Sequence, residues 1–245
     1  MRWGASREEF VRRVHWVVAM LGQDCDHGRI FNLSTGNTTR GHRFHSSGLI
    51  TLNHAEDYES ALAKANVIAS FEQRQRIIRE QVEAQALALG ADAVIATDLL
   101  DEVTGLVEWP VALTGSFEER YLHVPPEALI SSMKEHQKYF HLVDSKGELL
   151  PHFITVANIE SSDPQQVIAG NERVIRPRLS DAAFFFETDK KIPLVDRVPS
   201  LSNIVFQQKL GTLLDKTVRI SQLAALLAPD VGASVAFAQR AAELS

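Results

Sequence analysis

The sequence predicts an α+β fold: a mixed sheet with flanking helices over residues 1–195, followed by an all-α tail over residues 196–245. Three observations carry this reading. As far as Asp189, short β-prone runs alternate with segments of helical period, the pattern of helices laid on a sheet. Pro193 and Pro199 then punctuate the stretch Ile192–Ser202, which marks the best boundary. Beyond it, Leu213–Leu227 and Ala233–Leu244 are helical in pattern and rich in alanine, and Pro229, Asp230 and Gly232 separate them.

The elements follow in order. Val14–Leu21 is an apolar run around His15 and Thr51–Asn53 is short and extended, so both read as strands. A helix over Ser70–Leu89 returns Phe71, Ile78, Val82, Gln85 and Leu89 to one side and ends at Gly90. A turn of helix over Asp98–Gly105 ends before Pro110, and Val111–Leu113 continues as a strand to Gly115. Pro125 and Pro126 prepare a helix over Glu127–Gln137, with Glu127 favourable to its dipole. Tyr139–Val143 and Leu150–Asn158 flank Asp144-Ser145-Lys146-Gly147, which is the punctuation of a hairpin. After Asp163-Pro164 a long helix runs towards Asp189, and Pro177 predicts a kink or two abutting helices, since a mid-helix proline costs about 3 kcal/mol. Two terminal helices rarely form a domain alone, so the tail reads as the start of a truncated helical domain or one that needs a partner.

The chain has 245 residues, 45% hydrophobic and 23% charged, which fits a globular protein with a sizeable core. No run approaches the ~20 apolar residues of a membrane helix, and Met1–Ser6 lacks the apolar centre of a secretory signal, so the expectation is a cytoplasmic protein without membrane contact. Cys25 is the only cysteine, which excludes an intrachain disulfide and a cysteine-based zinc site. The net charge of −6 argues against a wholly basic nucleic-acid coat, but it is unevenly spread: residues 1–54 carry +3 and the remainder −9. Between Asp26 and Glu56 there is no acidic residue, while His27, Arg29, Arg40, His42, Arg43, His45 and His54 fall in that gap. A local anion-facing surface is the consequence.

Three segments concentrate chemistry. In Thr38–His45, Arg40 and Arg43 alternate with His42 and His45 beside Gly41; guanidiniums pair bidentately with phosphates, although the same groups also serve as internal fold contacts. The two histidines lack a third ligand, so no metal site is assigned. In Asp98–Pro110, Asp98, Asp101 and Glu102 share a helical face and Glu108 follows, which suits a solvated or docking face better than catalysis. In Gly170–Phe186, Arg173, Arg176 and Arg178 alternate with Glu172 and Asp181 along a stripe of Ile175, Leu179, Ala182 and Phe186. That pattern is read first as a salt-bridge network, with RNA contact by Arg176 or Arg178 as the alternative. There is no P-loop, G-x-G-x-x-G turn, G-x-S-x-G elbow or H-E-x-x-H motif, so no catalytic residue is assigned.

Six strings, in order along almost the whole chain, resemble one family, the β subunit of the bacterial heterotetrameric glycyl-tRNA synthetase. They are Phe10-Val11-Arg12 with Val14-His15-Trp16; Thr39–Phe44; Leu100–Thr104 with Leu106–Pro110; Ser132-Met133-Lys134 with Gln137–Phe140; Gly170–Val174; and Lys209–Thr212. The resemblance implies a ligase whose α subunit carries the glycine and ATP site, with magnesium, while the β subunit supplies tRNA recognition in an α2β2 assembly. It implies that this chain is an internal piece of a longer subunit, holding no cofactor of its own. Its body would be similar to the B3/B4 module of the phenylalanyl-tRNA synthetase β subunit, and residues 196–245 to the start of a histidine-aspartate fold. The family usually has Pro where Arg13 stands and Ala where Pro177 stands. On this reading Arg40, His42, Arg43, His45, Arg176 and Arg178 are the candidate tRNA contacts, and Asn171, Glu172, Arg173 and Asp181 a structural motif. The partners are the α subunit, glycine tRNA and the rest of the β subunit. Two other functions stay open: deacylation of mischarged tRNA, with His42, His45 or Glu108 positioning a water, and a purely structural docking role.

Overall fold

The computed structural model describes Glu9 and residues 14–245; Met1–Ser6, the Phe10-Val11-Arg12 string and Arg13 lie outside the described residues. The chain divides into two compact units, Met1–Ser180 and Asp181–Ser245. The first unit opens with short strands: β1 (Val17–Val18), β2 (Met20–Leu21), β3 (Asp24–Cys25), β4 (Arg29–Ile30), β5 (Leu33–Gly36), β6 (Thr38–Thr39) and β7 (Ile50–Thr51). The apolar run expected as one strand is therefore divided. Val17 and Val18 pair with β5 in parallel, whereas Met20 and Leu21 fold back on β3, because Gly22 at φ +59 supplies the tight turn.

Next come α1 (Asp57–Lys64), α2 (Phe71–Ala88), β8 (Asp92–Ala93), α3 (Thr97–Leu106), β9 (Val111–Ser116), α4 (Pro126–Ser131), β10 (Phe140–Val143), β11 (Leu149–Ala157) and α5 (Pro164–Asp189). Four strands form the main sheet in the order β8-β10-β11-β9. Every pair in it is antiparallel, which corrects the expected mixed sheet; the parallel pair belongs to the small β1-β5-β4 sheet. The expected hairpin forms, with Asp144 Oδ1 accepting from the amides of Lys146 (2.8 Å) and Glu148 (2.9 Å) and Gly147 at φ +84.

One sheet face receives α2 and α3. Ser70 caps α2 by accepting from Gln73 N, and Ile78, Val82 and Ala86, four apart, are buried with Leu99, Leu100 and Val103 against Phe140, Leu142 and Ile154. Gln81 also fastens α2 to β9, donating to Pro110 O and accepting from Ala112 N. Neighbouring residues on a strand face opposite ways, so Phe153 leaves the side of Ile154 and stacks on Tyr139, 4.5 Å between ring centroids. Gly115 is required beside it, since a Cβ there would lie 2.9 Å from Phe153 ring carbons.

The helix α5 continues through Pro177 without dividing into two helices. A proline removes one amide donor, leaving the Arg173 carbonyl without its helical partner, and the buried Ile175 and Leu179 hold the turn on either side. The second unit holds the rest of that helix, α6 (Leu194–Arg197), β12 (Val205–Gln207), β13 (Gly211–Thr212), α7 (Leu213–Leu227) and α8 (Val235–Leu244). The tail is not all-α: β12 and β13 form an antiparallel ribbon, turned by Gly211 at φ +84. Thr212 then caps α7 reciprocally with Asp215, and its amide hydrogen bond holds the Asp215 carboxyl below the usual range. The Lys209–Thr212 string is thus a turn followed by a helix cap.

Candidate nucleic-acid interface

The strands β6 and β7 pair antiparallel, and the loop between them carries Arg40, His42, Arg43 and His45. Gly41 allows this loop to settle: a Cβ there would sit 2.7 Å from both the Ala65 carbonyl oxygen and Ser46 Cβ. Next to it, His42 N donates to Ala65 O at 2.8 Å, and Ser46 N donates to His42 O at 2.9 Å. The His42 side chain is 1% exposed. Its Nδ1 accepts from the amides of Phe44 (3.2 Å) and His45 (3.3 Å), so Nε2 carries the proton and donates to Asn158 O at 2.7 Å. Asn158 in turn accepts at Oδ1 from Glu108 N (2.8 Å) and Trp109 N (2.9 Å), joining the loop, the end of β11 and the turn before β9.

His42 is therefore removed from the set of tRNA contacts: it is buried, and both ring nitrogens serve the backbone. His45 stacks on it at 4.6 Å, and its Nε2 accepts from Glu160 N at 3.0 Å. The ring acceptor of each histidine is thus used by backbone amides of this chain. The arginines behave differently. Arg40 and Arg43 are exposed and make no ion pair among the described residues. They share an open cleft of about 580 Å3 with His15, Trp16, Gly41 and Ser46, and Arg40 also lines an adjoining cleft of about 430 Å3 with Trp16, Thr38 and Leu49. Trp16 is held by its Nε1–H donating to Thr39 Oγ1 at 3.1 Å. Arg43 lies 5.7 Å from the ring centroid of Phe44, which is 72% exposed.

The other candidates fall elsewhere. Arg176 Nε pairs with Glu118 Oε1 at 2.7 Å, and Arg178 is exposed on α5; neither lines the clefts beside Arg40. The expected salt-bridge network within Gly170–Phe186 is not formed among the described residues. Asn171 instead accepts from Tyr139 Oη (2.7 Å), and Glu172 accepts from Ser116 N and Oγ (both 2.9 Å), while Arg173 and Asp181 face solvent. These bonds tie α5 to the sheet, which a sequence read along a single helix does not reveal. Burial pushes the Tyr139 hydroxyl up to about 12.

The carboxylates of α3 meet lysines of this same chain. Lys134 Nζ lies 2.7 Å from Asp98 Oδ2 and Lys138 Nζ 2.9 Å from Glu102 Oε2, and the first contact lowers the Asp98 carboxyl and raises the Lys134 ammonium. The acidic face therefore docks internally on the segment after α4. Among the described residues no three metal-ligating side chains gather, and no helix is long and apolar enough to cross a membrane. Trp16 and Asn158 are the site residues that sequence reasoning missed. Trp16 stood in a matched string without a role, and Asn158 had no local signal because its partners are about fifty and more than a hundred residues away.

The family described as glycyl-tRNA synthetase beta subunit matches residues 1–245. The chain is 58% identical over 245 residues to the glycine–tRNA ligase beta subunit of Chromohalobacter salexigens. It is 56% identical over 246 residues to that of Hahella chejuensis and 56% over 245 residues to that of Acinetobacter baylyi. Each match covers 100% of this chain and 36% of the relative, so the chain spans little more than a third of their length.

Proposed function

Because the chain belongs to the glycyl-tRNA synthetase beta subunit family, we propose that it works as part of glycine–tRNA ligase in the cytoplasm, holding tRNA while the α subunit attaches glycine to it with ATP and magnesium. The partners are then the α subunit in an α2β2 assembly, the rest of the β subunit and glycine tRNA, on a body similar to the B3/B4 module. No step of the chemistry is assigned to this segment. What carries the reading is the loop after β6: in a chain of net charge −6, the acid-free stretch folds so that Arg40 and Arg43 stand exposed at a cleft while His42 between them and His45 after them are used internally. Guanidiniums without acidic partners are free to exchange counterions for phosphates.

The test is the affinity for glycine tRNA across salt concentrations, with Arg40→Ala/Arg43→Ala beside the parent. The double variant is expected to bind more weakly and to reduce the slope of log affinity against log salt by about one to two. Unchanged binding by a folded variant removes the loop from the interface.

Protein docking is a second reading, and one observation favours it for the second unit. Phe184, Leu194, Leu226, Val231 and Phe237 are all more than 60% exposed there. Apolar side chains in that number suit a surface buried against other protein, such as the remainder of the β subunit or the α subunit.

A further inference from the structure

We propose that the clefts beside β6 receive a single-stranded stretch of RNA, with a base stacked on the exposed Trp16 or Phe44 ring and its phosphates on Arg40 and Arg43. This rests on the tRNA-binding reading and narrows it to unpaired nucleotides. Trp16 is the common wall of three clefts: the two that contain Arg40 and an apolar one of about 520 Å3 reaching Met20, Phe31 and Tyr58. The indole is 42% exposed, yet fixed in orientation by its bond to Thr39, so a base that stacks on it meets a ring already ordered. Phe44, 72% exposed, has Arg43 beside it and lines with it a further cleft of about 650 Å3.

These features select the form of the nucleic acid. A duplex presents phosphates and a groove surface but keeps its base faces stacked inside, so two exposed rings beside concave clefts gain nothing from it. A single strand offers base faces to aromatic rings and phosphates to arginines, and stacking of this kind tolerates any sequence. Charge limits the track at both ends. Glu56, Asp57 and Glu59 are exposed sequence neighbours of Tyr58, which lines the apolar cleft, and Glu108 lines the cleft that holds Phe44. The unopposed cations therefore cover only the few nucleotides that pass Arg40 and Arg43.

The experiment compares a labelled RNA decanucleotide of mixed sequence with a labelled RNA hairpin of equal charge whose fully paired stem is closed by a non-nucleotide linker, by fluorescence anisotropy at low salt, on the whole chain. The strand is expected to bind about 5- to 150-fold more tightly than the stem, and Phe44→Ala or Trp16→Ala to remove about 5-fold or more of that affinity. Trp16→Phe should keep most of it, which separates the lost ring face from the lost hydrogen bond. Phe44→Ala stands as the decisive variant if Trp16→Ala fails to fold. A hairpin bound as tightly as the strand, with Phe44→Ala indistinguishable from the parent, overturns the single-strand assignment and leaves tRNA binding by Arg40 and Arg43 in place. Binding of neither RNA overturns both.

Discussion

Replacement of Asn158 by alanine tests the joint that holds the arginine loop in place. The Asn158 side-chain oxygen accepts from two amides, Glu108 N at 2.8 Å and Trp109 N at 2.9 Å, while its backbone carbonyl accepts separately from His42 Nε2. The substitution therefore removes two bonds and leaves the third donor in place. A buried donor left unsatisfied costs about 1–3 kcal/mol, and these amides are partly buried, so a loss of about 2–3 kcal/mol follows. For a chain of this size that lowers the melting temperature by about 4–12 °C. The assay is calorimetric melting, in which transitions of the two compact units are followed separately, with Asn158→Asp as the variant that keeps the acceptor oxygen. A shift within about 1 °C for Asn158→Ala would refute the role given to Asn158.

Other outcomes follow from the same geometry. Gly41→Ala must displace the Ala65 backbone and should destabilise the first unit by more than about 1 kcal/mol, whereas Gly36→Ala meets open space at a negative φ and should stay within about 0.5 kcal/mol; paired denaturant titrations check the contrast. Tyr139 is raised by burial to about 12, above its ordinary 10 when unfolded, so its contribution is complete below pH 10 and is lost as pH rises towards 12. Tyr139→Phe should flatten stability against pH across that window. Asp98 is lowered by Lys134, so its contribution is complete above the ordinary carboxylate range near 4 and is lost as pH falls through the folded value. Lys134→Ala should reduce that acid sensitivity, measured as the change in denaturation midpoint between neutral and acid pH.

Local signals made the main elements legible. The helical spacing of Ser70–Leu89, the Asp144–Gly147 turn and the helical spacing of Leu213–Leu227 each act over a few residues, and each element stands where its pattern placed it. Distant pairing was not legible. Val17 pairs with Thr35, and Val205 with Thr212, in strands of two to four residues whose composition alone does not name a partner. The arginine loop illustrates the same division. Its cations were legible from the missing acids, but the difference between Arg43, which is exposed, and His42, which is buried, depends on Ala65 and Asn158. Arg176 also differs from Arg40 through one distant residue, Glu118. Its carboxyl is held below the usual range chiefly by its own backbone amide, with Arg176 adding to the effect.

On the proposed reading, RNA meets the first unit at the loop after β6. The most direct measurement is photo-crosslinking of thiouridine-substituted glycine tRNA to the whole chain, with the attachment sites mapped by peptide mass spectrometry. The account predicts adducts at Trp16 and Phe44, diminished by Arg40→Ala/Arg43→Ala and by high salt. Adducts confined to α5 around Arg178, and unaffected by that double substitution, would contradict it.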